Sequence, residues 1–150
     1  MNTRVIRADG RRHNELRHIT IERSVNSYAE GSALIRWGNT VVYCTATVED
    51  RVPLFIQGSG GWVTAEYSML PRATHERNKR DRKELPSGRS FEIQRLIGRS
   101  MRGAVYLGSL GGRTVHIDCD VLQAAGGTRT GPKAGKTASN TRTRIYYRFF

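Results

Sequence analysis

Apolar and polar residues alternate from His18 to Val25, with Ile19 and Ile21 on one side, and this pattern predicts a β-strand. Two further β-rich runs follow, Ser32 to Trp37 and Val41 to Val48. Between them Gly38-Asn39-Thr40 reads as a hairpin turn, because glycine adopts positive φ freely. Val42, Cys44, Ala46 and Val48 share one face of the second run. Gly58-Ser59-Gly60-Gly61 reads as a flexible loop, and Trp62 to Tyr67 as the next strand. The period then changes. Ile93, Leu96, Ile97, Met101, Ala104 and Val105 form one apolar stripe at helical spacing, which predicts a helix over 89–107. Ser87 or Ser90 suits its N-cap, and Gly108 and Gly111-Gly112 suit its end. A last strand is expected from Thr114 to Asp120, with Val115, Ile117 and Cys119 on one side. It runs on through Val121-Leu122 into the loop Gln123-Ala124-Ala125-Gly126-Gly127-Thr128-Arg129-Thr130.

Composition adds a partner to this picture. The 150 residues correspond to one domain, and no internal repeat is visible. Lys and Arg number 25 against 13 Asp and Glu, a net charge of +12. The sequence pI is about 10.6, and the mean hydropathy is −0.54. Such a surplus suits a polyanion, nucleic acid first and an anionic membrane surface second. No apolar run approaches the roughly 18 residues of a membrane span, and the start Met1-Asn2-Thr3-Arg4-Val5-Ile6-Arg7 has no signal-like apolar core. A cytoplasmic location without membrane partners is the expectation.

The surplus lies in two blocks. Between 71 and 102, ten basic residues stand against Glu76, Asp81, Glu84 and Glu92. Asp120 is the last acid, and Arg129, Lys133, Lys136, Arg142, Arg144 and Arg148 follow it. Cys44 and Cys119 are too few for a disulfide scaffold or a four-cysteine zinc site, and they read as buried thiols. The four histidines form no metal-ligand spacing with them.

Three features carry candidate chemistry. Arg95, Arg99 and Arg102 form a second stripe on the predicted helix, read either as a solvated charged face or as a wall toward RNA or another subunit. After the last strand, Gly126-Gly127 lets backbone N–H groups approach an oxyanion, and Thr128 and Arg129 complete an anion cradle. Turn chemistry alone accounts for these residues equally well. The run Gly131-Pro132-Lys133-Ala134-Gly135-Lys136-Thr137 imitates a nucleotide P-loop. It has three residues between the glycines where four are needed, and Pro132 removes a donor.

Several longer motifs occur in order: Arg7-Ala8-Asp9-Gly10-Arg11, Asn14-Glu15-Leu16-Arg17, Ala29-Glu30-Gly31-Ser32 and the run from Trp62 to Arg72. The run from Gly88 to Arg99, with Asp118-Cys119-Asp120-Val121-Leu122-Gln123 and Gly126-Gly127-Thr128-Arg129-Thr130, completes the series. On these motifs the chain resembles the ribonuclease PH family over about residues 5–130. The resemblance implies an α+β fold, a β-α-β-α sandwich, assembled as a homohexameric ring. It implies phosphorolytic 3′-5′ exoribonuclease activity on tRNA precursors and other structured RNA 3′ ends. Inorganic phosphate is the co-substrate, and nucleoside diphosphates are released. It assigns phosphate binding to Arg89, Gly127, Thr128 and Arg129, and RNA contact to Arg72, Arg77 and Arg80.

The chain departs from that pattern in three places. The loop Gly58-Ser59-Gly60-Gly61 is one residue short, and Ala125 stands where the family carries Asp. No match to the family is expected after Thr130, and the family's catalytic, Mg²⁺-associated aspartates belong to its second half. The expectation is therefore 1–130 as the first part of the family's domain and 131–150 as a disordered basic tail. A frame change or truncated gene is the preferred origin of that tail, and a genuine alternative C-terminus the other. Asp118 and Asp120, at i and i+2 on one strand face, are the only nearby carboxylate pair. With the catalytic acids elsewhere, the chain alone is expected to be inactive, and a catalytically dead RNA-binding remnant is the alternative.

Overall fold

The computed structural model describes residues 7, 10–56, 58, 60–80 and 88–128. The expectations for Ser87, Arg129 and the tail at 131–150 lie outside them. Five strands are described: β1 (Ile19–Arg23), β2 (Gly31–Trp37), β3 (Thr40–Glu49), β4 (Trp62–Met69) and β5 (Thr114–Gln123). One α-helix, α1 (Gly88–Arg102), lies between β4 and β5, and short 3-10 turns occupy Leu54–Ile56 and Leu107–Leu110.

The strands form one mixed sheet in the order β1-β2-β3-β5-β4, which places the chain in the α+β class. Trp37 pairs with Thr40, so β2 and β3 are joined by the two residues Gly38 and Asn39, with Gly38 at φ 57. A glycine first in such a turn matches the twist of the flanking strands. The β4–β5 pair is parallel. A parallel pair needs a long crossover, and α1 supplies it.

Period-two alternation separates the two faces of the sheet. Val42, Cys119, Val121, Ala65 and Tyr67 turn toward α1 and meet Ile93 and Ile97, forming the main core. Cys44 and Ile117 pack at its margin. A smaller cluster of Val63, Leu110 and Val115 closes the other end with Val105 and Leu107. The opposite parity, including Asp118 and Asp120, points away from the helix.

The helix is shorter than its apolar stripe. It ends at Arg102, and Gly103, Ala104 and Val105 form a turn closed onto Arg99 and Met101. Gly103 breaks it, since glycine is the poorest helix former after proline. Val105 keeps its apolar contacts although the backbone has left the helix. Ser90 lies within the first turn, buried, and is therefore not the residue ahead of the helix. The glycine-rich loop before β4 serves packing. A Cβ at Gly61 would overlap the Leu110 side chain and the Arg113 carbonyl, and one at Gly60 would press on Leu107 and Gly108.

Candidate functional site

The crossover decides where the candidate residues go. At one end of α1, Arg102 donates to the Val63 carbonyl at 2.8 Å, beside the start of β4. At the other end, Ile93 packs with Tyr67 and Val121, near the ends of β4 and β5. Arg89, the second residue of α1, is exposed at this second end. The first turn holds no acidic residue, and the positive end of the helix dipole there suits an anion.

The loop after β5 emerges at the same end. The Ala124 amide donates to the Ala73 carbonyl at 2.7 Å. Gly126 and Gly127 have φ 85 and 73, a left-handed region that costs glycine little. The Gly126 carbonyl accepts the Thr40 hydroxyl at 2.7 Å and the Arg17 guanidinium at 2.9 Å. The Ala125 amide donates to the same Thr40 hydroxyl at 3.1 Å. Ala125 has no polar side chain, so polar groups from elsewhere hold this loop. Thr128 is buried at 7% exposure. Arg129 lies outside the described residues.

The basic segment also starts here, directly after β4. Its root is fixed: the Leu70 amide bonds the Val121 carbonyl at 3.0 Å, and Ala73 is buried at 3%. Arg72 donates to the His75 carbonyl at 2.9 Å, and Asn78 to the Thr74 hydroxyl at 2.8 Å. Arg72, Arg77 and Arg80 are all exposed. Burial pushes the Asp120 carboxyl up, and the nearby Arg80 charge opposes that shift.

Arg102 leaves the predicted arginine stripe. Besides its bond to Val63, its guanidinium stacks over Trp62 at 4.3 Å, while Arg95 and Arg99 are exposed. Burial first, and then the Arg99 charge, makes Arg102 easier to deprotonate than an ordinary arginine. Its role is therefore structural.

The resemblance implies Mg²⁺, and the described residues do not fit it. Among them no three His, Cys, Asp or Glu side chains converge as metal ligands. Asp118 lies opposite Glu66 in the β4–β5 register, with Asp120 next to Ser68. No metal-dependent step is assigned to these carboxylates.

Two features escaped the sequence reading. Thr40 read only as a turn residue, because its partner loop is 86 residues away. Arg7, Arg11, His13, Arg17, Trp37 and Gly127 help to line a shallow cleft of about 350 Å³ beside the loop. Only the density of arginines near the N-terminus hinted at it.

Comparison with known proteins shows the family of the chain. The model of the 3′ exoribonuclease family, domain 1, matches residues 15–139, and the chain belongs to that family. It is 58% identical over 132 residues to ribonuclease PH of Methylobacterium nodulans, covering 87% of this chain and 56% of the relative. It is 59% identical to ribonuclease PH of Bacillus subtilis, with 87% and 54% covered. The chain thus spans a little over half the length of these curated relatives. Among solved structures it resembles a chain of the Archaeoglobus fulgidus exosome with RNA bound to the active site. The TM-score is 0.73 at 26% identity, over 85% of this chain and 52% of that one. Rice Rrp46, at 19% identity and a TM-score of 0.68, shares the fold; the match covers 84% of this chain and 56% of that one. Among the described residues no helix is long and apolar enough to cross a membrane.

Proposed function

We propose that the chain supplies the phosphate- and RNA-holding half of a phosphorolytic 3′-5′ exoribonuclease. One observation carries the reading. Arg89 from α1, the Gly126–Thr128 loop after β5 and the Arg72–Arg80 segment after β4 reach the same end of the sheet from three separate elements. An arginine fork, a threonine hydroxyl and backbone donors suit inorganic phosphate, and the family resemblance assigns Arg129 the same role. Phosphate oriented there attacks the terminal phosphodiester of RNA. The new P–O bond forms as the bond to the 3′ oxygen breaks, releasing a nucleoside diphosphate and a chain shorter by one nucleotide. The substrates in this reading are tRNA precursors and other structured RNA 3′ ends in the cytoplasm. The working assembly is a homohexameric ring.

A polypeptide of these 150 residues holds phosphate and RNA but does not complete the reaction, because charge on the leaving oxygen needs an acid or a metal. The purified chain, incubated with a tRNA precursor, phosphate and Mg²⁺, is expected to release no nucleoside diphosphate. Phosphate-dependent release abolished by Arg129→Ala would overturn that and make Asp118 and Asp120 the next residues to mutate. The second reading, an RNA-binding remnant without catalysis, draws on the exposed Arg72, Arg77 and Arg80. RNA binding without phosphate binding would favour it.

A further inference from the structure

We infer that Thr40 and Arg17 are positioning residues that hold the Gly126–Thr128 loop in its phosphate-receiving form; this rests on the phosphate reading above. Thr40 is 1% exposed, at the first position of β3. A buried hydroxyl is costly unless it is bonded, and valine would fill the same volume on a strand without that cost. Both functions of this hydroxyl go to one place. It donates to the Gly126 carbonyl at 2.7 Å and accepts the Ala125 amide at 3.1 Å, so it holds two consecutive residues of the loop. Arg17, from the segment before β1, donates to the same Gly126 carbonyl at 2.9 Å. That oxygen then has both lone pairs engaged.

The consequence falls on the next two residues. A glycine pair is among the most mobile pieces of backbone, and an anion that had to order it would bind weakly. With the Gly126 carbonyl pinned and Gly126 and Gly127 at φ 85 and 73, the loop approaching Thr128 is ordered before the anion arrives. The hairpin turn at Gly38 carries Thr40 to this point. A Cβ at Gly38 would press on the Arg17 side chain at 3.3 Å, so the turn and the arginine are in close contact.

The test uses the 150-residue chain and inorganic phosphate, titrated by calorimetry, with melting temperatures recorded for each variant. Thr40→Val is expected to weaken phosphate binding about tenfold, and Thr40→Ser to restore it to within about twofold. Arg17→Met is expected to weaken it about threefold with an unchanged melting temperature. Native-state amide exchange at Gly127 and Thr128 should quicken about tenfold in Thr40→Val relative to the sheet amides. Arg89→Ala serves as the control for the phosphate reading. If Arg89→Ala loses affinity while Thr40→Val and Arg17→Met bind like the parent, the inference fails and the phosphate reading stands. If the parent binds no phosphate, the reading fails and the inference with it. Should Thr40→Val not fold, Arg17→Met decides, and parent-like affinity with unchanged exchange at Gly127 overturns the proposal.

Discussion

The Arg102 guanidinium lies 4.3 Å over the Trp62 ring while one of its N–H groups bonds the Val63 carbonyl at 2.8 Å. One side chain therefore ties the last turn of α1 to the first residues of β4. Phe55 adds an edge-on contact to the same indole, with ring centroids 5.5 Å apart. Arg102→Ala removes a charge-assisted hydrogen bond and a cation–π contact, and should cost about 1.5–3 kcal/mol. Arg95→Ala, on the exposed part of the same helix, should stay within about 0.5 kcal/mol. Urea unfolding of the two variants distinguishes them; equal effects would refute the structural role of Arg102.

Asp120 gives a pH-dependent prediction. Burial holds its carboxyl above the usual range despite the opposing Arg80 charge. The folded chain thus binds this proton more tightly than the unfolded chain does. The group favours folding below the unfolded carboxyl's pKa, and that contribution is lost as pH rises through the folded value. Asp120→Asn should raise the melting temperature at pH 7, with the gain shrinking as pH falls through the carboxylate range. A gain that grows toward acid would contradict this.

The phosphate reading predicts a charge-specific loss. Arg89→Ala or Arg129→Ala should each weaken phosphate binding by about 1.5–3 kcal/mol. Arg89→Lys should also weaken it, because a point charge does not reproduce a bidentate fork. Calorimetry on the three variants checks this, and parent-like affinity in both alanine variants would show that these residues do not form the site.

RNA binding should depend steeply on salt, because phosphate contacts release counterions. Replacing Arg72, Arg77 and Arg80 together with alanine should lower the slope of log K against log salt by about one unit for each arginine that touches an RNA phosphate. A triple variant with the parent slope would remove this segment from the interface.

Cys119 should resist alkylation in the folded chain. It is 2% exposed and its Sγ lies 3.5 Å from that of Cys44 on the paired strand. The Cys44 thiol and then burial push its pKa well up, so little thiolate is present at neutral pH. Mass-resolved labelling with iodoacetamide should mark Cys119 only in denaturant; rapid native labelling of Cys119 would contradict its burial.

Strand faces were legible in the chain because period-two alternation is a local property of the backbone. Spacing alone grouped Val42 with Cys44, Ala46 and Val48 on one face, and Val115 with Ile117 and Cys119; the structure shows Val42, Val115 and Cys119 in the core. Ile93 and Ile97 followed equally from the helical period. The end of α1 was misjudged because Val105 continues the apolar period after Gly103 has broken the backbone. Periodicity reports which side chains seek the core, not which peptides remain helical.

The family, the strand and helix faces and the basic blocks were therefore determined by the sequence itself, through contiguous motifs and short-range periods. Tertiary structure alone decided the order β1-β2-β3-β5-β4 and the parallel pairing that turns the start of α1 toward the end of β5. It also decided that Arg102 leaves the charged stripe for Trp62, and that Thr40 closes a loop 86 residues away. The physical reason is common to these cases. A guanidinium or a hydroxyl bonds wherever the fold brings a carbonyl within about 3 Å, and no residue neighbouring it along the chain records where that carbonyl will be.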